Sequence, residues 1–251
     1  GTMKLLIIGG TRFLGRHLAA AALAAGHDLT LLHRGRSNPG LFPEARHVVT
    51  DRRGDLTALA GGRWDAVIDT SAYVPRDVTL LADNLADRTA RYLLVSTISV
   101  YRDVTPAGVD ESGALATLDD PATETVDGQT YGGLKALCEQ AALQHFGSAA
   151  TLIARPGLIV GPHDPTERFT WWLRRVHQGG RFVVPAPAAA RVQFIDARDL
   201  ADWLLLQAAT GSTGVYNLCG PDLPLTWGDW MARMVGALQP AARPCWVDEP
   251  V

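Results

Sequence analysis

The 251 residues are 47% hydrophobic, enough to bury one large core with a small appended lobe. A formal net charge of -3 gives no global basic field of the kind that broad nucleic-acid or anionic-membrane binding needs. No run of about 18 apolar residues is present to span a bilayer, and no basic stretch leads an apolar one as in a secretory signal. Cys138, Cys219 and Cys245 are odd in number and widely spaced, without a C-x-x-C pair, and no H-E-x-x-H occurs among the seven histidines, so a metal is not expected. Buried free thiols in a reducing cytoplasm are the expected state of the three.

The apolar run Leu5 to Ile8 predicts a first strand, and the Ala-rich stretch from Leu18 to Ala25 predicts a helix. Between them lies Gly9-Gly10-Thr11-Arg12-Phe13-Leu14-Gly15. The order strand, glycine turn, helix makes a cradle for a dinucleotide pyrophosphate, because glycines let the backbone approach the phosphates and first-turn N–H groups have no partner within the helix. An ordinary strand-to-helix turn is the alternative for a glycine run taken alone.

Gly26 closes the helix, and His27 to Arg34 reads as a second strand, completing a βαβ half. At the end of that strand an acidic side chain would bind the ribose 2'-OH of NAD. His33 and Arg34 stand there instead, and with Arg34 and Arg12 able to fork onto a phosphate the site leans toward NADP(H) over NAD(H). Solvated surface arginines are the alternative.

Further strands are expected at Arg46 to Thr50, Asp65 to Asp69 and Tyr92 to Ser96, with a helix from Asp77 to Leu85 between the last two. Near-continuous apolar strands alternating with helices predict an α/β fold: a doubly wound, Rossmann-like parallel sheet covered on both faces. From Arg102 to Gln129 the pattern lapses into a stretch rich in Asp, Glu, Pro, Thr and Gly, a functional or disordered loop. A helix from Tyr131 to Phe146 and a sixth strand at Ala150 to Ala154 follow. Beyond Gly161 come a helix around Arg168 to Gln178, a short strand at Arg181 to Val184, a helix from Ala197 to Ala208 and a strand at Gly214 to Asn217. These shorter pieces predict a dinucleotide-binding core over 1–161 and a small substrate-side lobe over 162–251, interleaved with the core.

Tyr131-Gly132-Gly133-Leu134-Lys135 places a phenol and an ammonium one turn apart on one helical face. A free tyrosine titrates near pH 10, and a nearby lysine cation favours its phenolate by about 1.4 kcal/mol per unit of pKa lowering. Such a pair also occurs by accident on surface helices. Upstream, Val95-Ser96-Thr97-Ile98-Ser99-Val100-Tyr101 puts hydroxyls at the carboxyl end of a predicted parallel strand, the edge where open α/β sheets bind ligands. A hydroxyl there can hold a substrate carbonyl or alcohol while the tyrosine moves the proton.

The glycine turn, the Val95 to Tyr101 segment, Tyr131 with Lys135, and Arg155-Pro156-Gly157-Leu158-Ile159-Val160-Gly161-Pro162 together resemble the extended short-chain dehydrogenase/reductase superfamily, and within it the NAD-dependent epimerase/dehydratase group. The resemblance covers nearly the whole chain. It implies Thr97 in the Ser/Thr role, with Ser99 as the rival hydroxyl, Tyr131 as acid/base, and Lys135 as its pKa modulator and ribose clamp. It further implies that Gly9, Thr11, Arg12, Phe13, Leu14 and Gly15 line the pyrophosphate, with Phe13 and Leu14 offering backbone N–H groups. Asp51 matches the acid that meets the adenine amino group, although it could simply start a turn. Ser71 and Ala72 match small residues that leave the cofactor room, and Pro156, Gly157 and Leu158 match the segment beside the nicotinamide carboxamide.

Two departures stand out. Arg12 replaces the usual middle glycine, as in an atypical subgroup with a Gly-Gly-Thr-Arg-Phe-Leu-Gly turn, and Leu158 stands where nucleotide-sugar epimerases commonly carry an asparagine. Relatives usually continue past the position of Val251, so the substrate lobe reads as incomplete. The expectation is an NAD(P)-dependent oxidoreductase or epimerase/dehydratase acting on a small polar, sugar-like substrate, cytoplasmic, with a homodimer implied by the resemblance. The alternative is a non-catalytic dinucleotide-binding sensor or RNA-associated protein on the same fold, since relatives of the atypical subgroup include RNA-associated proteins.

Overall fold

The computed structural model describes residues 1–247; Val251, past which relatives were expected to continue, lies with 248–250 outside the described residues. In chain order run β1 (Lys4–Ile8), α1 (Phe13–Ala24), β2 (Asp28–His33), β3 (Arg46–Val49), β4 (Ala66–Asp69), α2 (Pro75–Leu85), β5 (Tyr92–Val95), α3 (Tyr131–Phe146) and β6 (Thr151–Pro156). Then follow β7 (Ile159–Val160), α4 (Thr170–Gln178), β8 (Arg181–Val184), β9 (Arg191–Val192), β10 (Ile195–Asp196), α5 (Ala197–Thr210), β11 (Gly214–Leu218), β12 (Leu225–Thr226), α6 (Trp227–Leu238) and β13 (Arg243–Trp246). Two compact units result: residues 1–157 with 197–218, and residues 158–196 with 219 onward.

The first unit holds a seven-stranded sheet in the order β3-β2-β1-β4-β5-β6-β11, every neighbouring pair parallel. Strand order reverses on either side of β1, so the crevice at the carboxyl ends of β1 and β4 is the topological switch point where ligands of such sheets bind. Leu5, Leu6, Ile7 and Ile8 are all buried, which a strand can support only when helices cover both sheet faces. Leu6, Ile8 and Val67 pack with Val78 and Leu81 of α2 and Ala141 and Ala142 of α3, while α1 packs with α5. The stretch from Ala197 to Leu218, assigned to the lobe from sequence, sits in this unit because β11 pairs with β6 from Gly214 opposite Leu152 to Leu218 opposite Pro156.

Local chemistry sets the element ends. Helix α2 begins at Pro75, two residues ahead of the expected Asp77, because the Asp77 carboxylate accepts the Tyr73 and Val74 N–H groups and Pro is pre-shaped for a first helical position. The segment from Arg102 to Gln129 is ordered by Asp-led turns at Asp103, Asp110, Asp120 and Asp127. It folds back on the strand β5 exit, where Ala116 N donates to Val100 O at 2.7 Å and Arg102 N to Ala114 O at 2.8 Å.

The second unit is built on three two-stranded pairings, β7 with β10, β8 with β13 and β9 with β12. Its core is aromatic: Trp230 packs against Phe169, Phe194 and Trp227, and Trp172 joins them. Trp171, the preceding residue, stays half exposed. Among the described residues no disulfide forms, and only Cys138 of the three cysteines is buried; Cys219 is exposed and Cys245 partly so, which corrects the expectation of three buried thiols. No helix among the described residues is long and apolar enough to cross a membrane.

Candidate active site

At the β1 exit the glycines are fixed by space. Gly9 has φ +90°, and a Cβ there would lie 2.6 Å from Thr70 Oγ1; at Gly15 it would lie 2.0 Å from the Gly9 carbonyl oxygen. A side chain at Gly15 would therefore push the head of α1 off the strand and open the cradle. Phe13 turns the chain with φ +38°. Arg12 is extended at φ -132°, ψ 132°, a conformation open to any residue, so the missing middle glycine leaves this turn unstrained at that point. Arg12 provides no side-chain cap and no acidic residue occupies the first turn of α1, so the N–H groups there face outward for an anion. Thr11 is buried, and its carbonyl accepts from Asn38 Nδ2 at 3.2 Å, bringing the loop after β2 onto the glycine turn.

Beyond β2, Arg34 and Arg36 are exposed, with no carboxylate paired to either among the described residues. His33 is placed differently from expectation. Its Nδ1 accepts from Gly35 N at 3.0 Å and its Nε2 meets His47 Nδ1 at 2.8 Å, so neither ring nitrogen is left to reach a cofactor. Burial, then the His47 ring, hold its pKa below the ordinary 6.5.

The hydroxyls at the β5 exit are sorted by their partners. Ser96 is buried and donates to Glu139 Oε2 at 2.6 Å, which commits it to structure. Thr97 is buried at the start of a single 3-10 turn, and its Oγ1 accepts from Ser99 N at 3.0 Å while keeping its own proton to donate. Ser99 is exposed. Helix α3 starts at Tyr131 and closes against this turn: a Cβ on Gly132 would lie 2.1 Å from the Ser99 carbonyl oxygen. Gly132 thus allows backbone-to-backbone approach, and Gly133 leaves room for the Leu118 side chain, requirements that the Tyr-x-x-x-Lys spacing does not reveal. One turn on, Lys135 is buried and donates from Nζ to Ala72 O at 2.6 Å and Val95 O at 2.8 Å, just past β4 and at the end of β5. Burial lowers its pKa from the ordinary 10.5. An ammonium has three N–H donors, so one remains.

Two buried ion-pair networks, invisible in the motif reading, hold this edge. Arg52 forks onto Asp69, both Nη–Oδ distances 2.7 Å, and donates to Asp77 O; Tyr92 OH donates to Asp69 Oδ2 at 2.6 Å. Together with Asp77, which accepts from Arg53 and from the Tyr73 and Val74 N–H groups, they clamp the loop carrying Ser71 and Ala72. Arg155 forks onto Glu139 and donates to Tyr101 OH and Glu111 O, tying β6 to α3 and to the long loop. The only sequence clue was a charged residue at a position whose neighbours are apolar, Asp69 after Ala66-Val67-Ile68 and Arg155 after Leu152-Ile153-Ala154.

Asp51 starts a turn, its Oδ1 accepting from Arg53 N at 2.9 Å, and is exposed. Pro156 ends β6 beside Leu218 and Gly157 N donates to Leu218 O; Leu158 opens the second unit, its carbonyl accepting from Ile195 N at 2.8 Å. The first unit thus gathers the glycine turn, Arg34, Ser71, Ala72, Thr97, Tyr131, Lys135 and Pro156 at the carboxyl edge of one parallel sheet. Close-approach glycines and an uncapped α1 fit a dinucleotide there.

The chain is similar to known proteins along most of its length. The chain is 27% identical over 96% of its length to the 3-diazoavenalumate denitrifying reductase of a Streptomyces species, of which it covers 84%. It is 27% identical over 86% of its length to the chloroplast stem-loop binding protein of 41 kDa b of Arabidopsis thaliana, and spans 58% of that protein. A UDP-N-acetylglucosamine 4-epimerase from Bacillus cereus shares the fold with a TM-score of 0.77 at 19% identity, over 98% of this chain and 85% of that one. The profile of the NAD dependent epimerase/dehydratase family matches residues 5–219, and the chain belongs to that family.

Proposed function

We propose that the chain is an NAD(P)-dependent oxidoreductase or epimerase/dehydratase acting on an alcohol or carbonyl carbon of a small polar, sugar-like substrate, with NADP(H) favoured over NAD(H). The bound coenzyme supplies the hydride donor or acceptor. Tyr131 gives or takes the proton on the substrate oxygen, and Thr97, whose hydroxyl proton is uncommitted, orients that oxygen. Lys135 holds the coenzyme ribose with its third N–H and lowers the Tyr131 pKa by its charge. Gly9, Thr11, Arg12, Phe13, Leu14 and Gly15 receive the pyrophosphate, Arg34 with Arg12 the 2'-phosphate, Asp51 the adenine, and Ser71, Ala72, Pro156, Gly157 and Leu158 line the remainder. His33 supports its neighbour rather than touching the cofactor.

The observation that carries this reading is Lys135, a buried ammonium anchored on the carbonyls of Ala72 and Val95 one turn beyond Tyr131. A lysine serving only as packing has no reason to bear that desolvation. A screen of sugars, ketones and hydroxy compounds for NADPH-linked turnover tests it, with Tyr131→Phe as the diagnostic variant. Unchanged NADPH affinity with turnover lowered by about 10²–10⁴-fold is expected; full turnover in the variant would remove the assignment. A cytoplasmic homodimer belongs to the same proposal, and light scattering tests the dimer.

The Arabidopsis similarity favours one rival, an RNA-associated protein on this fold. Filter binding with RNA at moderate salt separates the two, since steep salt-dependent affinity is expected only of the rival.

A further inference from the structure

The loop joining β2 to β3 is held at three places. Its start is Gly35, whose N–H donates to His33 Nδ1 at 3.0 Å; its middle is Asn38, whose Nδ2 donates to the Thr11 carbonyl of the glycine turn at 3.2 Å; its end is Phe42, whose carbonyl lies 2.9 Å from His47 Nε2. Between start and end stand the two imidazoles, His33 Nε2 facing His47 Nδ1 at 2.8 Å. Gly35 has φ +73°, and a Cβ there would meet Val49 Cγ1 at 3.0 Å. The chain thus makes a left-handed turn between Arg34 and Arg36 that only glycine adopts at ease.

These contacts determine every proton. Gly35 N–H can only donate, so His33 Nδ1 must be bare and its hydrogen must sit on Nε2. That hydrogen points at His47 Nδ1, which must also be bare, so the His47 hydrogen is on Nε2 and donates to Phe42 O. One self-consistent chain of three hydrogen bonds therefore links Gly35 to Phe42, with both rings neutral. A fourth proton has no place in it. Added at His47 Nδ1 it opposes the His33 Nε2 hydrogen, and if His33 changes tautomer to relieve that clash, its Nδ1 hydrogen opposes Gly35 N–H.

We propose that His33 and His47 are positioning residues for coenzyme specificity: a neutral two-imidazole relay that fixes Gly35, and with it the flanking Arg34 and Arg36, for the 2'-phosphate of NADP(H), and releases them on taking up one proton. This rests on the proposed binding of adenosine ribose at the β2 exit and adds a regulation of that site. The charged and titratable groups on the neighbouring segments are Arg12, Arg16 and His17 at the head of α1, Arg34 and Arg36 on the loop, Glu44 and Arg46 on the approach to β3, and Asp51, Arg52 and Arg53 past its end. Of the groups on His33, its burial and the His47 ring both oppose protonation.

Two measurements on the full chain test the relay. Long-range ¹⁵N–¹H correlation on histidine-labelled protein reads the tautomers directly: both rings should be the neutral Nε2–H form at about pH 8. A hydrogen on Nδ1 of either ring there would overturn the proposal, without any substitution that could disturb folding. Separate NADPH and NADH titrations by nicotinamide fluorescence give the second readout. His47→Leu should weaken NADPH by about tenfold and NADH by less than about twofold. His47→Gln, which keeps one acceptor and one donor, should retain most of the preference. Between about pH 8 and pH 5.5 the unmodified chain should lose more of its NADPH preference than His47→Leu, whose residual slope comes from the phosphate itself, with its ionisation near pH 6. An unchanged NADPH-to-NADH ratio in His47→Leu, beside a clear preference in the unmodified chain, would sink the relay alone. Equal affinities in the unmodified chain would sink the phosphate reading and the relay with it.

Discussion

Arg52 and Asp69 meet as a buried two-pronged ion pair, Nη1 to Oδ1 and Nη2 to Oδ2 both at 2.7 Å, with the Tyr92 hydroxyl donating to the same carboxylate. Removing one charge strands the other. Arg52→Leu should cost about 3–5 kcal/mol of stability, and the double change Arg52→Leu with Asp69→Leu should recover much of that loss. Urea denaturation at neutral pH measures both, and equal losses in the two variants would contradict the pair.

The same pair shapes acid sensitivity. Burial alone would push the Asp69 pKa up, but the Arg52 charge and the hydrogen bonds from Arg52, Tyr92 and Ser71 outweigh it and hold the carboxyl below the ordinary 3.8. The folded chain therefore binds this proton less readily than the unfolded chain. Its stabilising contribution is complete well above pH 3.8 and is lost as the pH falls through the folded value. Stability measured from neutral pH into acid should fall more steeply for the unmodified chain than for the double variant.

Gly132 permits the contact between α3 and the turn after β5. Gly132→Ala places a methyl 2.1 Å from the Ser99 carbonyl oxygen, too close for the backbone to absorb without moving the helix head. We expect a loss of about 1–3 kcal/mol in thermal or chemical unfolding, with turnover falling further because Tyr131 shifts relative to Thr97. A variant as stable and active as the parent would show that the helix can slide freely here.

Ser96 and Thr97 should separate cleanly. Ser96→Ala leaves Glu139 short of a donor in a buried site and should lower stability by about 1–3 kcal/mol while sparing NADPH affinity. Thr97→Ala loses the bond that caps the Ser99 N–H, a cost of about 0.5–2 kcal/mol, and should abolish most turnover. Reversed outcomes would exchange their roles.

Arg34→Ala should weaken NADPH by about 10–100-fold, the range of one lost charge-assisted hydrogen bond, and leave NADH nearly untouched. Nicotinamide fluorescence measures both. Equal weakening of the two would place Arg34 outside any 2'-phosphate contact.

The parallel sheet was legible because it is written in local signals: buried apolar strands, glycine turns and helices of ordinary length. Helix α3 appears over the expected Tyr131 to Phe146, and the Thr97 hydroxyl lies at the expected strand exit. The strand expected at Gly214 to Asn217 forms as Gly214–Leu218, but its place in the large sheet was not legible, because sheet membership depends on β6, far earlier in the chain. Ser96 stood among the strand-exit hydroxyls with nothing in the sequence to show that Glu139 of α3 takes its proton. His33 looked like a cofactor ligand because nothing along the chain announces His47 across the strand pair.

By itself the sequence determined which elements form and which residue types sit at the sheet's carboxyl edge, since propensity, hydrophobic period and glycine spacing act over a few residues. Tertiary structure decided which of those side chains are free to act. Hydrogen bonds and desolvation depend on partners brought together through space, so only the fold could commit Ser96, His33, Arg52 and Arg155 to architecture and bury Lys135 beside two carbonyls.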